Sequence, residues 1–209
     1  FWVAPLQPGM TVLVHSAAGG VGLCALQLCR TVEGVTVIGT ASAGKHEVVK
    51  AHGAHHCIDS SSQDYVAEVR RLTGGRGVDR VLDPLGGPDW AKGYGLLRPG
   101  GQLCCFGWSN MVGGQRRNLL TVAAQMLRLP RFTPLGLMDH NRGVCGVNMG
   151  HLWNEQEIVG HHLDRVLALN AAGKLVPRVD RTFPLTQAGE AHAFLQSRKA
   201  VGKVLLACD

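Results

Sequence analysis

Short apolar runs alternate with amphipathic stretches along this chain. Val12-Leu13-Val14 and Val37-Ile38 are runs of strand length, and between them Val21, Ala25, Leu28 and Val32 recur at intervals of four, three and four, the spacing of one helix face. That pattern predicts strand, helix, strand, closed as a right-handed crossover. Ser42 stands where it would cap a second helix running through Glu47 and Val49 to a stop at Gly53, and Cys57-Ile58 reads as a third strand. Ser61-Ser62-Gln63-Asp64 matches a capping box, with Tyr65, Val69 and Leu72 on the helix face behind it and Gly74-Gly75 ending it. Val78 to Leu82 predicts a fourth strand with Asp83 at its carboxyl end. Pro88 opens a helix with Trp90, Tyr94 and Leu97 on one side, Arg98 to Gly101 turns the chain, and Gln102 to Phe106 predicts a fifth, buried strand.

Farther on, Leu119 to Leu129 reads as helix, Pro130 to Asn141 as irregular, Val144 to Val147 as a sixth strand, and Glu155 to Ala172 as a long helix stopped by Gly173. In the tail, Leu175 to Phe183 and Lys203 to Leu206 read as strands around a helix from Gln187 to Gln196. Alternation of this kind implies an α/β fold, a doubly wound parallel sheet of the Rossmann type.

The turn after the first strand carries candidate chemistry. In Ala17-Ala18-Gly19-Gly20-Val21-Gly22 the third glycine of the dinucleotide fingerprint G-x-G-x-x-G falls on Gly22, the second on Gly19, and Ala17 replaces the first. Lack of a Cβ at Gly19 lets backbone approach a pyrophosphate, Gly22 lets the helix pack on the strand, and the helix N-terminus offers N–H groups to the phosphates. The second strand ends in Thr40-Ala41-Ser42 with no Asp or Glu to hold a ribose 2′-OH, which favours a 2′-phosphate. Ser42 and Lys45 are its candidate donors; a helix cap and a solvated lysine are the plainer readings. Asp83, Gly107, Trp108, Ser109 and Asn110 stand at strand carboxyl ends, where open α/β sheets bind ligands, and are candidates for the nicotinamide side.

Composition narrows the class. The 209 residues are 45% hydrophobic and 17% charged with 28 glycines, which fits a folded α/β protein rather than a disordered or fibrous one. The net charge of +6 is scattered, densest at Arg70-Arg71 and Arg116-Arg117, and only 5% of residues are aromatic, so the basic stripe and stacking platform of a nucleic-acid binder are missing. Seven cysteines without C-x-x-C spacing read as reduced thiols in a cytoplasmic-type compartment. His55 and His56 are neighbours pointing to opposite faces of a strand, so His52, His55, His56 and Cys57 do not read as a metal site. No apolar run approaches a membrane span, and Phe1 to Pro5 resembles a linker entered midway, which leaves targeting unread. The apolar segment from Phe132 to Met138 is a candidate partner surface, a homodimer contact among the options.

Ala18-Gly19-Gly20-Val21-Gly22, Leu96-Leu97-Arg98-Pro99-Gly100-Gly101, Phe183-Pro184-Leu185 and Gly202-Lys203-Val204-Leu205 resemble the cofactor domain of zinc-independent medium-chain dehydrogenase/reductases, the quinone oxidoreductases. Gly39-Thr40-Ala41-Ser42, Lys45-His46-Glu47, Asp83-Pro84-Leu85-Gly86-Gly87, Arg117-Asn118-Leu119 and Val144-Cys145-Gly146 look most like the synaptic vesicle membrane protein branch of that group. The resemblance implies NADPH as cofactor and hydride transfer, without a metal, to a small-molecule electrophile, a quinone or an α,β-unsaturated carbonyl. It implies an upstream GroES-like catalytic domain, so that residues 1–174 would form the NADPH-binding unit and residues 175–209 would return to the absent domain, and the isolated piece would be inactive. It adds Ala18, Gly20, Val21, Thr40, Ala41, Val147 and Arg198 to the cofactor contacts, while a tyrosine common in the group after the third strand falls at Ser60. A non-catalytic, NADPH-sensing protein peripherally associated with vesicle or organelle membranes is the rival expectation.

Overall fold

The computed structural model of the chain describes residues 3–110, 126 and 129–208. Six parallel strands, β1 (Thr11–Val14), β2 (Thr36–Ala41), β3 (His56–Asp59), β4 (Val78–Asp83), β5 (Leu97–Cys105) and β6 (Gly143–Gly146), form one sheet in the order β3-β2-β1-β4-β5-β6. Among the described residues the connecting helices are α1 (Gly20–Cys29), α2 (His46–Ala51), α3 (Tyr65–Leu72), α4 (Pro88–Gly95) and α5 (Pro134–His140). After them come α6 (Gln156–Ala171) and a parallel pair, β7 (Val179–Pro184) and β8 (Lys203–Ala207), joined through α7 (Ala188–Gln196).

Alternation along β1 divides the core. Val12 and Val14 pack on one face with Leu23 and Leu26 of α1 and Val49 of α2, while Leu13 packs on the other with Ile38, Ile58, Val69 of α3, Val81 and Leu97. Both faces are covered, which is why the strands read as continuous apolar runs. Order reverses between β1 and β4, and the loops leaving those two strands open the crevice where such sheets hold ligands.

Several expectations are corrected. The buried face of α1 is Gly22, Leu23, Ala25, Leu26, Gln27 and Cys29, whereas Val21 is 56% exposed and Leu28 only half-buried; the helix sits flat on the sheet and buries a broader arc than one four-three-four stripe. The cap of α3 is Asp64, which accepts from Val66 N at 2.9 Å, while the hydroxyls of Ser61 and Ser62 donate to Asp59, so the predicted box does not form. Ser42 precedes a 3-10 turn over Ala43–Lys45 and makes no side-chain cap.

Leu97 belongs to β5, not to the face of α4. It pairs with Val78, and register resumes at Gln102 opposite Arg80, which leaves Pro99 and Gly100 as an exposed irregularity inside the strand. Proline has no ladder donor and is tolerated there. The span read as irregular holds α5, because Pro134 occupies the first turn, Thr133 Oγ1 accepts from Gly136 N at 3.2 Å and Asn141 closes the helix at φ +51°. In the tail, strand structure begins at Val179 rather than Leu175; the preceding residues bond to α1 instead, Gln27 Oε1 accepting from Val176 N at 2.7 Å and its Nε2 donating to Val176 O at 3.0 Å. The helix expected over Leu119 to Leu129 lies almost wholly outside the described residues. No helix among the described residues is long and apolar enough to cross a membrane.

Candidate functional site

The turn between β1 and α1 is built from small residues under tight constraint. Ala17 N donates to Thr40 O at 2.9 Å and Gly19 N to Ser16 O at 2.9 Å, so the loop is pinned to β2 and folded on itself. At Gly22 a Cβ would stand 2.4 Å from Ser16 O and 2.7 Å from Ala17 Cα, both backbone atoms, and only glycine lets α1 approach this closely. Gly19 is different. A Cβ there would meet Ser16 O at 3.3 Å, a closer approach than most side chains make but far less severe than at Gly22.

With Gly19 as the cap, the N–H groups of Val21 and Gly22 lie in the first turn of α1 and make no hydrogen bond to a partner among the described residues, while that of Gly20 is turned toward Gly202 by the bridge between Gly19 and Gly202. Two unpaired donors stand at the positive end of a ten-residue helix, beside the side-chain-poor stretch Ala17-Ala18-Gly19. This arrangement fits a pyrophosphate.

The chain's own tail lies on one side of the same turn. Gly202 N donates to Ala18 O at 2.9 Å, Gly19 and Gly202 form a parallel bridge, and the methylenes of Lys203 fill the space beside Gly20. Lys45, at the end of the 3-10 turn after β2, donates from Nζ to the carbonyls of Arg198 at 2.6 Å and Ala200 at 2.8 Å. Burial pushes its pKa down, with Asp180 opposing. Lys45 and Arg198 are thus brought together, through the backbone of Arg198, which is left-handed at φ +58°. This strap was not legible in the sequence, because a backbone carbonyl leaves no residue-type signal. Thr40 and Ala41 are buried in β2, Ser42 is exposed, and Ser60 is an exposed residue whose N–H donates to Ala41 O at 3.1 Å.

Across the crevice, Asp83 is fully buried. Its Oδ1 accepts from Leu85 N at 2.6 Å and Gly86 N at 3.0 Å, its Oδ2 has no partner among the described residues, and burial raises its pKa. It shapes the β4–α4 loop from within rather than facing outward. Gly107 packs where a Cβ would lie 2.6 Å from Pro84 O, and Ser109 N and Asn110 N donate to Pro84 O and Leu85 O at 3.0 and 2.9 Å. The loops after β4 and β5 are therefore one unit. Trp108 is 43% exposed and stands edge-on to Trp90 at 5.5 Å, while Val147 N donates to Cys105 O at 2.9 Å and holds the chain after β6 at the same edge.

Between the two halves lies a polar layer that sequence reasoning missed. The buried His15 bonds through Nδ1 to Thr40 Oγ1 at 3.1 Å and stands edge-on to Tyr65 at 4.7 Å; Tyr65 OH donates to Asp89 Oδ1 at 2.8 Å, and Asn110 Nδ2 to Asp89 Oδ2 at 2.7 Å. Burial pushes His15 down to about 4, so its ring is neutral near pH 7. The alternation of His15 with Val12 and Val14 gave no sign of a buried donor. Among the described residues no three His, Cys, Asp or Glu side chains are grouped to hold a metal ion.

A family model described as zinc-binding dehydrogenase matches residues 52–206. The synaptic vesicle membrane protein VAT-1 homolog of Mus musculus is 48% identical over 201 residues, 96% of this chain and 49% of that protein. The 2-haloacrylate reductase of Burkholderia sp is 34% identical over 206 residues, 96% of this chain and 56% of that protein. A mycobacterial protein solved in complex with NADPH superposes with a TM-score of 0.78 at 30% identity, covering 98% of this chain and 59% of that one. The chain spans about half the length of these curated relatives. Its matching sequence, its strand order and its glycine turn together place it: the chain belongs to the zinc-binding dehydrogenase family of medium-chain dehydrogenase/reductases, beside the VAT-1 homologues.

Proposed function

We propose that this chain is the NADPH-holding half of an oxidoreductase that passes hydride to a quinone or an α,β-unsaturated carbonyl. The observation that carries the reading is the pair of unpaired N–H groups at Val21 and Gly22 at the head of α1, in a turn lined by Ala17, Ala18 and Gly19 with no large side chain. These groups would hold the pyrophosphate, with Ala18 and the exposed Val21 flanking it. NADPH, when bound, supplies the hydride from its nicotinamide ring. The chain's part is to fix that ring, with the joined loops at Gly107, Trp108 and Ser109 and the backbone at Val147 as its wall. Thr40-Ala41-Ser42 offers no carboxylate to a 2′-OH, and Lys45 keeps one N–H beyond the two given to the tail, so Ser42 and Lys45 would meet a 2′-phosphate, with Arg198 beside them. The NADPH complex of the mycobacterial neighbour and the reductase activity named for the Burkholderia relative support the same reading.

Calorimetric titration tests the cofactor half. Gly19→Val is expected to abolish NADPH binding while leaving the fold largely intact, and Lys45→Ala to weaken it roughly 10- to 150-fold, equivalent to about 1.5–3 kcal/mol, with NADH little affected. Equal dissociation constants of the unaltered chain for NADPH and NADH would remove the phosphate assignment. A quinone and enone panel with the full-length protein tests the chemistry. Binding without turnover on every acceptor would favour the non-catalytic, membrane-associated reading instead.

A further inference from the structure

We propose that Cys104 and Cys145 form an oxidisable dithiol that a hydroperoxide closes into a disulfide between β5 and β6. The two residues are direct register partners on adjacent parallel strands, and both side chains face the α1 side of the sheet, Cys104 in the core cluster and Cys145 packed against it. Neighbouring strands stand about 4.8 Å apart, within the roughly 4.4–6.8 Å between Cα atoms that a disulfide spans. Cys104 is buried; Cys145 is half-buried on β6, the last strand of the sheet among the described residues.

The thiols are also chemically unequal. The neighbouring Cys104 thiol and Arg80 on β4 lower the pKa of Cys145, against the opposing effect of burial, while the same neighbour and burial push Cys104 up; the Cys145 thiol itself donates to Leu103 O at 3.5 Å. Cys105, next along β5, also acts on Cys104, and Asp83 acts on Cys105. By contrast, burial raises Cys24 and Cys57 and pushes Cys29 and Cys105 up to about 12. The pair therefore offers one thiolate and one waiting thiol, the combination that favours reaction with peroxides.

The step balances. The Cys145 thiolate attacks the terminal peroxide oxygen, the O–O bond breaks, and the alcohol, or water from hydrogen peroxide, leaves with a proton. Cys104 then attacks the sulfenic sulfur, its proton departs with the hydroxyl as water, and the S–S bond forms. Two thiols lose two electrons and the peroxide gains them. The hydride chemistry proposed above uses neither cysteine, so the two proposals stand or fall separately.

The test is hydrogen peroxide added to the full-length protein, followed by blocking of free thiols with N-ethylmaleimide, trypsin and mass spectrometry. The tryptic peptide carrying Cys145 holds no other cysteine, whereas that carrying Cys104 also holds Cys105. The expected product joins these two peptides with the loss of two hydrogens, is released by dithiothreitol, persists in Cys105→Ala and disappears in Cys104→Ala. Its rate of formation should rise with pH, as the thiolate fraction of Cys145 does. A cross-link that survives in Cys104→Ala, sulfinic acid at Cys145 without a cross-link, or an unmodified pair after Cys208 has reacted would each overturn the proposal. The wild-type and Cys105→Ala results decide it even if alanine at Cys104 fails to fold.

Discussion

Helices α1 and α6 are both rich in leucine, alanine and valine, but they meet different surroundings. Of the ten residues of α1, six are buried; of the sixteen of α6, none is, and Ile158, Leu163, Val166 and Leu167 stand exposed. The difference comes from what each helix lies against. Gly22 brings α1 down onto β1 and Ala17, and Gln27 fastens its far side to Val176, whereas among the described residues nothing encloses the apolar side of α6. Apolar content makes a helix capable of burial, and a close-fitting neighbour makes the burial happen.

The sharpest way to break the contrast is Gly22→Val. Its Cβ has backbone on two sides, so the expected loss is roughly 4 kcal/mol or failure to fold, read by urea denaturation. A normal transition would mean that α1 lifts from the sheet without penalty, and the two helices would not differ in kind.

Acid titration probes the polar layer beneath the α1 turn. Burial lowers His15 from its ordinary 6.5 to about 4, so between these values the unfolded chain takes up a proton that the folded one refuses. This contribution to stability is complete above about pH 6.5 and is lost as pH falls toward 4, a decline of about 3 kcal/mol. Denaturation midpoints across that window should fall in the unaltered chain and fall less steeply in His15→Asn. Parallel slopes would place the acid sensitivity elsewhere.

The smallest effect belongs to α6. Leu163 is 53% exposed, so Leu163→Ser is expected to change stability by no more than about 0.5 kcal/mol in this chain. A loss near 2 kcal/mol in the full-length protein, by the same measurement, would show that the face is covered there.

What could be read from residues alone follows the same division. Strands β1 to β4, the glycine turn and α1 were legible because their signals are local, an apolar run bounded by glycine or followed by a 3.6-residue period. Pro99 and Pro134 misled because proline marks a break without saying which kind: Pro99 sits at an irregularity inside β5, and Pro134 begins α5. Gly22 was readable as a packing glycine. The engagement of Lys45 was not, since its partners are main-chain oxygens more than 150 residues away. Asp83 was placed at the correct edge, but its burial depends on the two N–H groups of its own loop, which any residue types would provide.

The bridge between Gly19 and Gly202 bears on the order in which the molecule can be completed. A chain emerging from its N-terminus can join β1 to β4 by short crossovers, each closing a modest loop. The turn before α1 nonetheless stays bare along one side until residue 202 has been made, and Lys45 keeps its ammonium in water until the carbonyls of Arg198 and Ala200 arrive. The recess beside the start of α1 is thus closed only by a segment made more than 150 residues after the turn and Lys45. On a nascent chain that stops short of Arg198, a nucleotide meets an open-sided cradle and a free lysine.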